Sequence, residues 1–182
     1  MRIIAGAYKG RNLKSPPSLE VRPTSDRLRE TLFNVIAPRI EEVRFLDLCA
    51  GSGAVGIEAL SRGASYATFV DRSRRSCKLI ESNLTLCRVP EEQWEIYCSE
   101  VNEFLKQTAS QWDIIYFDPP YENNYLKTLE LVAPRLRDLL IVEHHHKNKL
   151  PDAPGNLERT RVIKQGDSAL SFYKPQINAN ER

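Results

Sequence analysis

The sequence predicts an α/β fold, a mostly parallel sheet with helices on both faces, preceded by a basic β-hairpin and a helix. Short apolar runs alternate with amphipathic stretches from residue 44 to residue 144, the strand–helix order that builds a parallel sheet. The connections between them are short, so successive strands are joined by helical crossovers on both faces. Two late β-rich runs, LERTRVIKQ and SALSFYK, are split by Gly166-Asp167. That hairpin turn adds an antiparallel strand at or near an edge.

Taken in order, RIIAGAYKGRNLKSPP opens the chain as a short hairpin, a β-rich run with Gly turns and a Pro-Pro stop. Pro23-Thr24 opens a helix that Thr24 or Ser25 can cap, with Asp26 in the first turn. Leu28, Leu32, Val35 and Ile36 form its apolar stripe, and Pro38 lies at its end. RFLDLC (44–49) is the first strand of the sheet, followed by a Gly-rich turn and a helix through about Arg62. YATFVD (66–71) precedes a helix over about 73–86, and WEIYC (94–98) a helix over about 100–108. WDIIYFD (112–118) ends in Pro-Pro before a helix around 123–136, and LLIVEH (139–144) is the fifth strand. The spacing gives one domain over 1–182: a basic hairpin and helix (1–38), a catalytic core (39–175) and a polar tail (176–182).

With 41% hydrophobic and 27% charged residues, the composition is that of a soluble globular protein. No run approaches a membrane helix, and MRIIAGAYKG lacks the apolar core of a signal peptide, so no membrane contact and a cytoplasmic location are expected. Cys49, Cys77, Cys87 and Cys98 show neither a CxxC pair nor metal-ligand spacing and read as free thiols. Residues 1–30 hold seven Lys/Arg against three acids, while the other 152 residues hold nineteen against twenty-one. A phosphate-contacting arm and a solvated basic surface both fit that asymmetry.

DLCAGSGAVG (47–56) follows the first strand, with Gly51, Gly53 and Gly56 at dinucleotide-fingerprint spacing and Asp71 twenty residues after Gly51. Glycines let such a loop turn sharply beside a ligand, and a carboxylate at the end of strand two can accept from both ribose hydroxyls. A merely tight strand-to-helix turn is the plain alternative. Asp47 chooses the ligand: a carboxylate at the mouth of the loop repels a pyrophosphate and suits a ligand with an amino group and a sulfonium, S-adenosyl-L-methionine. Cys49, Ala50 and Ser52 complete the loop, and Arg72 adjoins Asp71. Glu100, beside Val101 after strand three, can reach an adenine edge or can equally serve as a helix N-terminal acid.

Asp118-Pro119-Pro120-Tyr121 closes the fourth strand and carries the chemistry. Two prolines make a rigid turn with outward carbonyls. The lone pair of an exocyclic base amine is delocalised into the ring, so the nitrogen needs orientation. Asp118 and the carbonyl of Pro119 can each accept one N–H, aiming the lone pair at a methyl carbon near an attack distance of about 3–3.5 Å. Tyr121 can stack on the base, as single-stranded or flipped bases require. Guanine N2, adenine N6 and cytosine N4 are all served by this loop.

These blocks together resemble class I methyltransferases acting on exocyclic amines. The N-terminal RPTSDRLRETLFN (22–34) and RIIAGAYKGRNL (2–13) are similar to the opening blocks of the bacterial 16S ribosomal RNA guanine-N2 methyltransferase family. The resemblance spans about residues 1–145. It implies a seven-stranded Rossmann-like sheet and transfer of one methyl group to N2 of a single guanine. The implied partner is 16S rRNA within a small-subunit particle or assembly intermediate, met by a monomer. By the same resemblance Asp47, Gly51 and Gly53 belong to the cofactor loop, Asp71 holds the ribose, and Asp118 to Tyr121 form the catalytic loop. Arg22, Thr24, Arg27, Arg29 and Glu30 then lie over the active site, and Lys9 and Arg11 join the RNA-contacting arm.

Departures from the family pattern are two. Glu100 stands where many relatives carry Asp or Asn, and His144-His145-His146 follows strand five. Neighbours on an extended segment point to opposite faces, and no Cys or acid cluster completes the set, so a polar loop is expected and no metal. An NAD(P)-dependent oxidoreductase would leave Asp47 and the Asp-Pro-Pro-Tyr loop without work. A non-catalytic RNA-binding module calls for interleaved aromatic runs, which this sequence lacks, and a DNA-adenine or protein-glutamine methyltransferase calls for an extra target-recognition domain, which 182 residues do not show.

Overall fold

A computed structural model describes residues 1–16, 25–120 and 124–177. The strands of its single sheet are β1 (Arg44–Leu48), β2 (Tyr66–Asp71), β3 (Trp94–Cys98), β4 (Trp112–Phe117), β5 (Leu136–His145), β6 (Leu157–Gln165) and β7 (Ser168–Pro175). They lie in the order β3-β2-β1-β4-β5-β7-β6. The first five are mutually parallel, and β7 pairs antiparallel with both β5 and β6. The strand order reverses at β1, between β2 and β4, the switch point where open sheets of this kind bind ligands.

Alternation along each strand divides the core. On one face α1 (Asp26–Ile36), α2 (Ala54–Ser61) and α3 (Arg74–Cys87) pack Leu32, Phe33, Ile36, Ile57 and Ile80 on Phe45, Phe69, Ile114 and Ile141. On the other, α4 (Val101–Gln107) and α5 (Tyr125–Val132) bring Phe104, Leu105, Leu129 and Val132 onto Leu46, Val70, Ile115, Phe117 and Leu140. Each such aliphatic or aromatic side chain contributes about 1.5–3 kcal/mol on full burial.

Ser25 caps α1, its Oγ accepting from the N–H of Leu28 at 3.1 Å. The other expected cap, Thr24, lies outside the described residues. The expected N-terminal hairpin is present and short: around the antiparallel pair Arg2 and Asn12, the N–H of Leu13 donates to the Met1 carbonyl (2.8 Å), that of Ile3 to the Arg11 carbonyl (3.0 Å) and that of Gly10 to the Ile3 carbonyl (2.8 Å). Its tip is tied to α2: Glu58 accepts from the N–H groups of Ile4 (2.9 Å) and Ala5 (3.0 Å), and the Ser61 carbonyl from that of Ala7 (2.7 Å). Beyond Ile3 these donors bind the arm to the helix rather than extend the ladder. The helix expected around 123–136 ends at Val132, because Pro134 allows only a 3₁₀ turn there, and β5 begins at Leu136, ahead of the expected 139.

Gly56 fixes how closely α2 approaches the sheet. A Cβ at this position would stand 2.3 Å from the ring of Phe69. Gly56→Ala is expected to cost about 1–3 kcal/mol through overpacking, read as a lower denaturant midpoint at unchanged m-value. A midpoint equal to wild type would show that the ring can withdraw without loss.

Candidate active site

Four acids stand side by side at the carboxyl ends of β2, β1, β4 and β5. Asp47 pairs in register with Phe69 on β2 and Tyr116 on β4, and Phe117 pairs with Val142 on β5. One step past these pairs, Asp118 adjoins Glu143, and Asp71 follows two residues after Phe69. Side chains alternate faces along a strand, so Asp71, Asp47, Asp118 and Glu143 share the face covered by α1 and α2. Asp47 is 1% exposed and Glu143 9%, while Asp71 and Asp118 are half-buried.

The glycine loop is built around two of these acids. Asp71 accepts from the N–H of Gly51 (2.9 Å) through one oxygen and from that of Ser73 (2.9 Å) through the other. Asp47 accepts from the N–H of Gly56 at 2.9 Å, tying the end of β1 to the first turn of α2. Cys49 takes a left-handed backbone, φ 61°, to start the turn, and the N–H of Ala50 donates to the Val70 carbonyl at 3.1 Å. Ser52 is buried, and its carbonyl accepts from the amide of Asn83 (2.9 Å), which also donates to the carbonyl of Lys14 (3.1 Å). Through Asn83 the glycine loop and the basic arm share one brace.

Burial drives the electrostatics. It pushes the Asp47 carboxyl well above the usual carboxylate range; the Gly56 bond opposes this and Asp71 adds to it. Asp118 is raised well above its ordinary value too, by burial first and then by Glu143 and Asp47. The Cys49 thiol is also raised, by burial and then by the acids around it. The row is desolvated and made of carboxylates. A positive ligand would stabilise its ionised forms, and a pyrophosphate would oppose them. A Cβ added at Gly51, whose φ is 59°, would meet nothing within 4 Å, so the loop leaves open space beside the acids. The donor set therefore fits a cationic sulfonium with its amino group, S-adenosyl-L-methionine.

The segment Asp118 to Pro120 follows β4 directly. The N–H of Asp118 donates to the Leu48 carbonyl at 3.4 Å, Pro119 is buried and Pro120 exposed. Tyr121 lies outside the described residues. Tyr125, in the first turn of α5, stands edge-on to Phe117 with ring centroids 6.5 Å apart. Arg72 and Glu100 face one another at 3.7 Å, both exposed, and Val101 is half-buried. The Glu100 side chain makes no capping bond to α4.

The expected RNA-facing residues divide. Lys9, Arg27 and Glu30 are exposed. Arg11 is half-buried, donates to the Cys87 carbonyl and lies over the Tyr8 ring at 5.3 Å, which turns it toward the body. Arg29 corrects the expectation outright. It is 0% exposed, pairs with Asp26 at 3.0 Å and Glu58 at 3.7 Å, and donates to the Arg2 carbonyl. A guanidinium so enclosed cannot meet a phosphate. Arg22 and Thr24 lie outside the described residues.

The histidines also depart from expectation. β5 ends at His145, so alternation stops there, and the rings of His145 and His146 stack with centroids 4.6 Å apart. Asp167, from the β6–β7 turn, supplies the acid the sequence did not reveal: ligand atoms of the three lie within 4.8 Å of one another. His144 turns inward, with Nε2 2.8 Å from Ser171 Oγ.

Sequence reasoning missed Glu143, which accepts from the hydroxyl of Tyr116. The signal was available, a lone acid at the end of an apolar strand beside the Asp118 strand. Glu58 was missed as well, since nothing local distinguishes a buried acid on α2 from a surface one.

The chain matches the family described as Conserved hypothetical protein 95 over residues 1–174. Among curated proteins, it is 37% identical over 179 residues to ribosomal RNA small subunit methyltransferase D of Escherichia coli (strain K12), covering 96% of this chain and 89% of that protein. It is 38% identical over 147 residues to the protein of the same name from Haemophilus influenzae, covering 72% and 76%. Among solved structures, one described as "Putative methyltransferase yhhF from Escherichia coli" superposes with a TM-score of 0.87 at 34% identity, covering 98% of this chain and 99% of that one.

Proposed function

We propose, because this chain belongs to the family described as Conserved hypothetical protein 95, that it is an S-adenosyl-L-methionine-dependent ribosomal RNA methyltransferase. Its target is N2 of one guanine of 16S small-subunit rRNA, met in a small-subunit particle or assembly intermediate by a monomer in the cytoplasm. Among the described residues no helix is long and apolar enough to cross a membrane. The observation that carries this reading is the placement of Asp118, the acceptor for an exocyclic amine, on the same sheet face as Asp47 and Asp71 and one strand from the glycine loop.

Bound S-adenosyl-L-methionine supplies an electrophilic methyl carbon. Asp47, Asp71 and the loop Cys49 to Gly53 hold it, with Arg72, Glu100 and Val101 at the adenine side. Asp118 and the Pro119 carbonyl accept the two N–H bonds of the amine and aim its lone pair. Orientation in a water-poor site accounts for most of the rate enhancement. The nitrogen becomes acidic once it is methylated, so no strong base is needed before attack. Tyr121 stacks on the extruded base, and Lys9, Arg27 and Arg22 contact the RNA backbone.

Asp71→Ala removes a ribose acceptor and the brace on Gly51 together. Affinity for S-adenosylhomocysteine is expected to fall about ten- to hundredfold, the effect of losing one or two charge-assisted hydrogen bonds. Calorimetric titration reads it, and an unchanged Kd would remove Asp71 from the cofactor site. The function itself is tested by radiolabelled methyl transfer to small-subunit particles from cells lacking this gene, followed by nucleoside mass spectrometry. N2-methylguanosine at one position is the expected product. Absence of label in RNA, with cofactor binding intact, would send the search to another amine acceptor.

A further inference from the structure

The Asp118 loop alone does not choose among bases, because guanine N2, adenine N6 and cytosine N4 present the same pair of N–H donors. The ring nitrogen beside the amine does differ: guanine N1 bears a hydrogen, whereas adenine N1 and cytosine N3 bear a lone pair. An acceptor beside Asp118 would therefore favour guanine and oppose the other two.

Glu143 is in that position. It follows Val142, the register partner of Phe117, and so stands next to Asp118 across neighbouring strands spaced about 4.8 Å apart. It shares Asp118's sheet face and lies on the side of Asp118 away from the β1 glycine loop. The Tyr116 hydroxyl donates to Glu143 Oε2, so the side chain is held in one orientation by its own strand neighbour. Burial to 9% exposure raises the cost of presenting a carboxylate to a lone pair. We propose that Glu143 is the guanine-selecting residue of this enzyme, accepting the N1–H of the target base while Asp118 holds its N2 amine. This rests on the guanine-N2 reading given above. The Glu143 charge helps to raise the Asp118 carboxyl above its ordinary value, as two acids on neighbouring strands do.

The test replaces the target guanosine in a reconstituted small-subunit particle with 2-aminopurine riboside, which keeps the 2-amino group and carries a lone pair at N1. Wild-type enzyme is expected to prefer guanine by a hundredfold or more in kcat/KM, since a site built to bond an N–H rejects an analogue lacking it by up to about 10⁴–10⁵-fold. Glu143→Gln keeps the shape. Its Oε1 can accept from Tyr116 and its amide can donate to a ring lone pair, so the preference should narrow at least tenfold, partly by a gain on 2-aminopurine. A merely structural role would lower both substrates alike, and an unchanged ratio with guanine still methylated by wild type overturns the assignment. If wild-type enzyme methylates neither particle, while its thermal shift with S-adenosylhomocysteine persists, the guanine reading itself fails and the assignment with it.

Discussion

Replacing Asp118 with alanine lowers kcat by about a hundred- to a thousandfold, the range seen when one preorganised polar contact to a reacting group is removed. Binding of S-adenosylhomocysteine stays near wild type, because the cofactor is held from β1 and β2. Single-turnover methyl transfer and calorimetry separate the two effects, and wild-type turnover would end the role assigned to this carboxylate. The wild-type pH profile carries the same signature. In the proposed role Asp118 is a much stronger N–H acceptor when ionised than when protonated, and burial, then Glu143 and Asp47, hold its proton on above the usual carboxylate range. Activity should therefore be lost on acidification at a pH higher than an exposed aspartate would give.

Arg29→Ala should lower stability by about 1–3 kcal/mol. It leaves the Arg2 carbonyl without its buried donor and opens space under α1, while Glu58 keeps Arg62 at 2.8 Å and the N–H groups of Ile4 and Ala5. Glu58 is 0% exposed, and Arg29 joins it to Asp26 and the Arg2 carbonyl. The loss appears as a lower denaturant midpoint. Arg27→Ala, on the exposed side of α1, should leave that midpoint alone and flatten the salt dependence of RNA binding by about 0.7–0.9 in log–log slope, one phosphate contact. Equal melting of Arg29→Ala and wild type would free Arg29 to be an RNA contact after all.

The two arginines also show where sequence reading stops. Charge counting put Arg27 and Arg29 in one basic arm, yet they face opposite ways. Helical spacing could have separated them: Arg29, Leu32, Phe33 and Ile36 lie at i, i+3, i+4 and i+7, the apolar stripe of α1. The parallel strands were readable because apolar runs and glycine or proline stops recur in step, and Asp47, Asp71 and Asp118 were readable because each ends such a run. Glu143 ends one too, but its meaning depends on β5 lying beside β4, a neighbourhood that only topology supplies. His145 and His146 misled for a similar reason. Alternation governs a strand and lapses at its last residue, and Asp167 reaches them from a turn more than twenty residues later.

The placement of β7 between β5 and β6 has a consequence for the nascent chain. During synthesis β6 emerges before β7, its only strand partner among the described residues, so it must wait unpaired. Until residues 168–175 leave the ribosome, β5 remains an open edge carrying Leu140, Ile141 and Val142, a surface prone to pair with other chains. Sheet closure thus waits on residues 168–175, and a chain cut before them would expose both β5 and β6 to aggregation.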